Sequence, residues 1–340
     1  MTCRPRAASF VVLCGLVSAP SAVAQTKIFV ATAVYESTDL VAPNAVLLIP
    51  ALDSSPSGGS ALAWSVGLRG STLTVDSVKS FSPRLGILFG GSLTPFSANG
   101  SSRIYKNGRH EPDLAFTDRA YQAEAGVRFQ PTPAWRTDIQ LLALKESVEG
   151  IDNHSWSHPY GGIEVAQNYR RVISEDLLQS RFDGFKATAA AQRFFGSNAW
   201  WRGQVMAGGG KRIGHLFLRG EALAFGGGDL NPVSRFLVGG SWDVGEGVPL
   251  YGFHYAQFRV DRGVVLNGGV DLRLKGAWEV GIRGGYLDSP DKWARGTAIR
   301  LGTIWNGVTW HVGAGLPAGV SGEPQGGAFV FAGITAAVIQ

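Results

Sequence analysis

Cysteine is nearly missing from this chain: 340 residues hold 2, Cys3 and Cys14. Charged residues are scarce too, at 17%, and neither sign dominates, with a formal net charge of +5. Beyond the N-terminus no run of 18 or more apolar residues occurs, which excludes helical membrane spans there. Residues 1–24 read as a secretory leader, with Arg4 and Arg6, an apolar stretch from Ala7 to Val17, and Ala22-Val23-Ala24 before Gln25. Lipidation of Cys14 is the alternative, but Leu13 stands where that processing wants a small side chain. Cleavage removes both cysteines, and with them any disulfide, thiol nucleophile or thiolate metal site. It also removes two arginines and no acid, leaving about +3 on 316 residues (340 less 24). That excess is too weak to argue for nucleic acid.

What the sequence does have is glycine, 47 residues, with 45% hydrophobic and 11% aromatic content. That is roughly twice the ordinary glycine usage. Short apolar stretches, little charge and much glycine together point to alternating β-structure in a bilayer. A strand between lipid and a watery lumen places successive side chains on opposite faces. Tyr121, Ala123, Ala125, Val127 and Phe129 share one face, against Gln122, Glu124, Gly126, Arg128 and Gln130. After Pro131-Thr132-Pro133 the pattern resumes with Trp135, Thr137, Ile139, Leu141 and Ala143 against Arg136, Asp138 and Gln140, a hairpin. The clearest case sets Val264, Leu266, Gly268, Val270, Leu272 and Leu274 against Asp261, Asn267, Asp271 and Arg273, with Arg262 and Val265 breaking the pattern. Its partner sets Trp278, Val280, Ile282, Gly284 and Tyr286 against Glu279, Gly281 and Arg283.

Further strands are expected in 60–70, 83–96, 181–195, 199–211, 214–227, 233–241, 296–305, 307–316 and 327–339, with weaker ones in 27–35, 45–52, 71–79 and 249–257. A soluble sandwich alternates as well, but its exposed face is rich in Lys and Glu around a core of large aliphatics. Here the polar faces mix Gly, Ser, Gln and single charges. The expected fold is therefore all-β, a transmembrane antiparallel β-barrel. At about 20 residues per strand it holds about 16 strands, with 14 possible. It is one domain over 46–340, preceded by a short segment, 25–45. Pro131–Ala134 and Gly196–Asn198 read as periplasmic turns, while 97–118, 149–177 and 242–250 read as long connections facing outward or folded into the lumen.

Three places resemble the bacterial surface antigen barrels, the superfamily of BamA and the two-partner-secretion transporters. Leu48-Ile49-Pro50-Ala51-Leu52-Asp53-Ser54-Ser55-Pro56-Ser57-Gly58-Gly59 is similar to the first-strand entry of members that lack periplasmic domains. Arg235-Phe236-Leu237-Val238-Gly239-Gly240 resembles the strand before the family's lumen loop, and Leu250-Tyr251-Gly252-Phe253 stands where that loop's tip reads Val-Arg-Gly-Tyr or -Phe. Gly285-Tyr286-Leu287-Asp288 is similar to the family's Phe-x-Asp-x-Gly strand end. The family's loop-tip Arg is Tyr251 here, and the C-terminus is Ile339-Gln340 rather than aromatic. The resemblance implies a lumen loop over 242–256, positioned by Gly239, Gly240 and Leu250, Tyr251, Gly252 and Phe253. It implies translocation or outer-membrane assembly in a Gram-negative bacterium, and it leaves no room for POTRA domains.

Catalytic signatures are missing. No Gly-x-Ser-x-Gly occurs, and neither Gly208–Gly210 nor Gly226–Gly228 has nucleotide-binding spacing. His154 and His158 are four apart, but Ser155 replaces the glutamate of a zinc helix and Pro159 follows. No enzyme activity, cofactor or metal is expected. Arg219, Glu221, Asp261, Asp271, Arg273, Glu279, Arg283, Asp288 and Arg300 are expected to be lumen-wall charges that pair, hold the loop or tune ion selectivity. Outer-membrane lipids and a separately encoded periplasmic protein are the expected partners. A small-solute porin and an adhesive barrel binding through 97–118 and 149–177 are the alternatives.

Overall fold

The computed structural model describes residues 28–36, 39–40, 44–50, 58–67, 70–97, 105–106, 109–110, 116–151, 154–176, 181–231, 233–240, 248–306, 308–322 and 327–339. The expected leader and most of the first-strand entry motif, residues 51–57, lie outside them. One sheet of 17 strands dominates, every pairing antiparallel. The two-residue segment Asp39–Leu40 pairs antiparallel with the end of strand Ile28–Glu36, which Asn44–Pro50 also pairs with, and adds no strand to the wall. The other sixteen strands follow one another in chain order, and Ile28–Glu36 pairs with the last, Phe329–Ile339, through nine residue pairs. The sheet thus closes on itself as a 16-stranded barrel with no open edge. Its wall begins at Ile28, ahead of the expected boundary at residue 46, because Ile28–Glu36 also pairs with Asn44–Pro50.

Alternation decides which side of the wall each residue meets. Val264, Leu266, Val270 and Leu272 are exposed on the outside, and so are Ile282, Ile299, Leu301 and Val312. A soluble protein does not expose so continuous an apolar belt, whereas lipid covers it without cost. Aromatics edge the belt at both ends: Phe129, Trp135, Trp278, Trp305 and Trp310 near one rim, Tyr121, Phe195, Trp201 and Trp293 near the other. Such girdles mark the two membrane interfaces. Val270→Arg places a charge on the belt of strand Arg262–Arg273 and is expected to cost about 2–4 kcal/mol near the bilayer midplane. Urea unfolding in vesicles measures it.

The connections are unequal at the two ends. Following the chain, residues 83–84, 133–134, 214–215 and 274–277 turn at one end. The other end carries the connections 98–116 and 229–261. Gly196–Asn198 is at this second end, opposite Pro131–Ala134, so it is not a turn of the same rim. Nor is 149–177 a loop. It is a tight hairpin between Trp135–Ile151 and His154–Asp176, strands of 17 and 23 residues. About 9–11 residues span the bilayer, so these strands project beyond it and their outer stretches read as polar loop.

Candidate functional site

The connection between strands Leu216–Gly228 and Arg262–Arg273 turns into the lumen and folds there. It starts at Asn231, whose side-chain oxygen accepts from the Val233 and Ser234 amides at 3.0 and 2.8 Å. Phe236–Val238 then pairs with Phe258–Val260, giving the loop a small sheet of its own. Gly239 and Gly240 both have positive φ, 136° and 109°. Their amides donate to the carbonyls of Val248 (2.9 Å) and Phe253 (3.1 Å), which draws the loop tip back onto the hairpin. Of the expected lumen loop, residues 241–247 lie outside the described residues.

The loop is packed like a core. Phe236, Val238, Leu250, Phe253 and Phe258 meet Leu223, Phe225, Val265, Leu287 and Ala294 of the wall. Val265, the residue that broke the alternation, faces this plug instead of water. On the other flank Leu237, Tyr251 and Tyr255 meet Ala298, Phe329 and Phe331. Each buried Leu or Phe contributes about 1.5–3 kcal/mol, so the plug is held mainly by apolar contact.

The wall beneath the tip is flattened by glycine. Gly285 and Gly296 are register partners. A Cβ at Gly296 meets the Tyr251 carbonyl oxygen at 2.6 Å, and one at Gly285 meets the Tyr251 nitrogen at 2.8 Å. Asn267 donates its side-chain amide to the Pro249 carbonyl at 2.8 Å. Gly252 has φ 94°, and a Cβ there lies 2.5 Å from the Thr297 nitrogen. Gly252→Val is therefore expected to lift the tip off the wall, with about 1–3 kcal/mol of backbone strain added to the clash. Faster protease cleavage within 241–257 in intact vesicles reads this displacement.

Below the tip lies a buried charge cluster. Arg283 stands with its guanidinium 5.5 Å from the centroid of the Tyr251 ring. Here the wall supplies the charge and the loop tip supplies the aromatic face. Arg283 and Arg300 reach the two oxygens of Asp271 at 3.4 and 3.3 Å, and Arg300 also donates to Glu279 at 2.9 Å. Asp271, Gly281 and Arg300 lie on one rung. A Cβ at Gly281 collides with the Asp271 carboxylate, so its absence lets the pair meet across the middle strand.

A fifth member comes from farther away. Arg181, at the start of strand Arg181–Phe195, pairs with Asp271 at 3.3 Å and with Glu279. Two strands separate it from Asp271, and its guanidinium passes over the Phe217 ring at 5.3 Å. The Phe182 carbonyl occupies the space that a Cβ on Gly210 takes, so the chain there crosses the lumen side of strand Trp200–Ile213. A bulge between Val172 and Ser174 and the positive φ of Gly184 produce this inward turn.

Of the expected wall charges, Asp271, Glu279, Arg283 and Arg300 form this cluster, and Arg219 and Glu221 sit half-buried on the same inward parity. Arg273 has that parity but is exposed at its strand end. Two assignments are corrected. Asp288 pairs in register with Val264, and both face outward and are exposed. Asp261 precedes the wall strand and forms a half-exposed ion pair with Arg235 at 3.0 Å. Arg181 and Gly296 are not singled out by the sequence, while Asn267 and Gly285 are placed by it without a role in seating the loop. Asn267 and the two glycines fall on the inward parity, where a polar or small residue accommodates a neighbour.

The fold and its plugged lumen define a class, closed 16-stranded barrels with a connection folded inside. BamA from Haemophilus ducreyi lacking POTRA domains 1-3 shares the fold at TM-score 0.68 and 10% identity, over 92% of this chain and 70% of that one. CdiB from Acinetobacter baumannii (TM-score 0.59, 9% identity, 93% of this chain) and CdiB from Escherichia coli (0.59, 14%, 92%) share it too. This chain spans 60% and 63% of those two. No protein-family model matches the chain, and no curated protein matches its sequence.

Proposed function

We propose that this protein is an outer-membrane barrel of a Gram-negative bacterium that acts in translocation or outer-membrane assembly. Its lumen is closed by its own loop, and it works with a periplasmic partner and without catalysis. The observation that carries this reading is the seating of the tip: Tyr251 and Gly252 rest on Gly285 and Gly296 through close backbone approach, with a hydrogen bond from Asn267 of the wall to the Pro249 carbonyl. A loop docked in this way closes the lumen and leaves it able to open. The fold shared with BamA and CdiB and the three motif resemblances support the same class. The short-turn end faces the periplasm in this reading, since outer-membrane barrels keep short turns there and longer loops outside.

Planar-bilayer recording of the refolded chain, residues 25–340, tests the reading. A mostly closed trace with rare, variable openings is expected. A steady open level identifies a diffusion channel and overturns the proposal.

A further inference from the structure

Among the described side chains the two rims of the barrel differ in charge. At the short-turn end the described side chains that are exposed and charged are all cationic, including Lys79, Arg84, Arg171, Lys211 and Lys275. At the opposite end Glu149, Asp229, Asp261, Asp288 and Asp291 are exposed alongside cations. Three of the short-turn cations share a further pattern. Lys79, Arg171 and Lys211 lie on the lipid-facing parity of their strands, in line with Val75, Val165 and Val205. Two residues closer to the rim each is followed by a strongly exposed apolar residue, Phe81 at 64%, Ile173 at 76% and Ile213 at 56%, the first two standing at the bulges Ser80/Ser82 and Val172/Ser174.

Cations that only keep the rim soluble need no apolar neighbour beyond them. Here the apolar surface continues past each cation, so its stem lies along lipid while its head reaches out to the headgroup layer. Lys211 has an ion-pair partner, Asp183, at 3.7 Å, but its own side chain is 63% exposed. It therefore remains open to a further anion.

We propose that Lys79, Arg171 and Lys211 form a collar that binds the phosphates of anionic phospholipids in the leaflet at the short-turn end. The membrane-spanning fold places the collar at a bilayer interface, and the orientation proposed above makes that leaflet the periplasmic one. An acidic protein partner would instead choose cations on the turns and the lumen mouth. The three strand cations face the wrong way for that.

The test uses the refolded chain in phosphatidylcholine vesicles doped with brominated phosphatidylglycerol or brominated phosphatidylcholine. Quenching of the rim tryptophans, Trp135, Trp278, Trp305 and Trp310, reports which lipid sits beside the barrel. Phosphatidylglycerol is expected to be preferred by roughly fivefold or more, since each cation near an anionic surface contributes about that factor. The preference is expected to vanish in 1 M salt and in the Lys79→Gln, Arg171→Gln, Lys211→Gln variant. It is expected to survive in Lys145→Gln, Arg193→Gln, Arg295→Gln. Equal quenching by both lipids in the parent protein overturns the collar, as does a preference that outlasts the first triple change. Salt dependence of the parent gives the same answer without any variant. The boiling-dependent gel shift is read in parallel: its loss marks failure of the barrel reading, whereas a shifted band with equal quenching marks failure of the collar alone.

Discussion

Excising residues 236–258 and bridging Arg235 to Arg259 with a short Gly-Ser linker is expected to turn a quiet bilayer trace into a steady conductance. Sixteen strands enclose a lumen wide enough for an aqueous channel, and what fills this one is the connection itself. Phe236, Leu250, Phe253 and Phe258 leave together, and the wall residues they covered, Leu223, Phe225, Val265 and Leu287, then line water. Conductance is expected to rise on the order of tenfold or more, since current scales with the open cross-section. The rise comes in two stages. The inward turn at Arg181 and Phe182 still narrows the other mouth, so adding Arg181→Ala raises the level again. A trace unchanged by the excision means that the loop does not close the pore.

Asp271→Ala is expected to be the most damaging single change in the wall. Asp271 is 1% exposed and receives Arg181, Arg283 and Arg300, so its removal takes a shared buried carboxylate from three guanidiniums. Losing one partner of a buried ion pair costs about 3–5 kcal/mol, because the charge left behind has no water to replace it. Asp261→Ala makes the contrast. Its pair with Arg235 is about half exposed, and such pairs contribute about 0–1 kcal/mol. Urea midpoints of the two variants in the same vesicles decide the matter. Equal midpoints refute the buried cluster as a stabilising element.

Most of the wall is legible in the sequence because lipid enforces a period of two over many residues. The strands around Val270 and Ile282 lie where alternation puts them, and four of the nine expected wall charges meet in one cluster. The errors have two sources: parity holds only inside a strand, and Asp288, which alternation with Tyr286 puts on the outer face, was placed inward on a motif resemblance alone. Asp261 precedes its strand. Asp288 is one position off the inward set because Leu287, an apolar residue, takes the lumen side to meet the plug. Bulges at Val148/Ile151 and Val172/Ser174 reset the count on either side of His154–Asp176. That strand also runs past the bilayer, where nothing enforces apolar residues, and so reads as loop. Arg181 was beyond reach for a different reason. Its partners are ninety residues and more away in sequence and two strands away in space, and no local pattern encodes an inward turn made by a bulge and Gly184.

The position of Asp271 couples two things that the chain keeps far apart. One of its oxygens accepts Arg283, on which the Tyr251 ring of the loop tip rests, and the same oxygen accepts Arg181 from the opposite mouth. The barrel therefore resembles an airlock whose two doors share a bolt. A load that draws Arg181 away strengthens the claim of Arg283 on the carboxylate, and a tip that lifts off frees Arg283 to compete with Arg181.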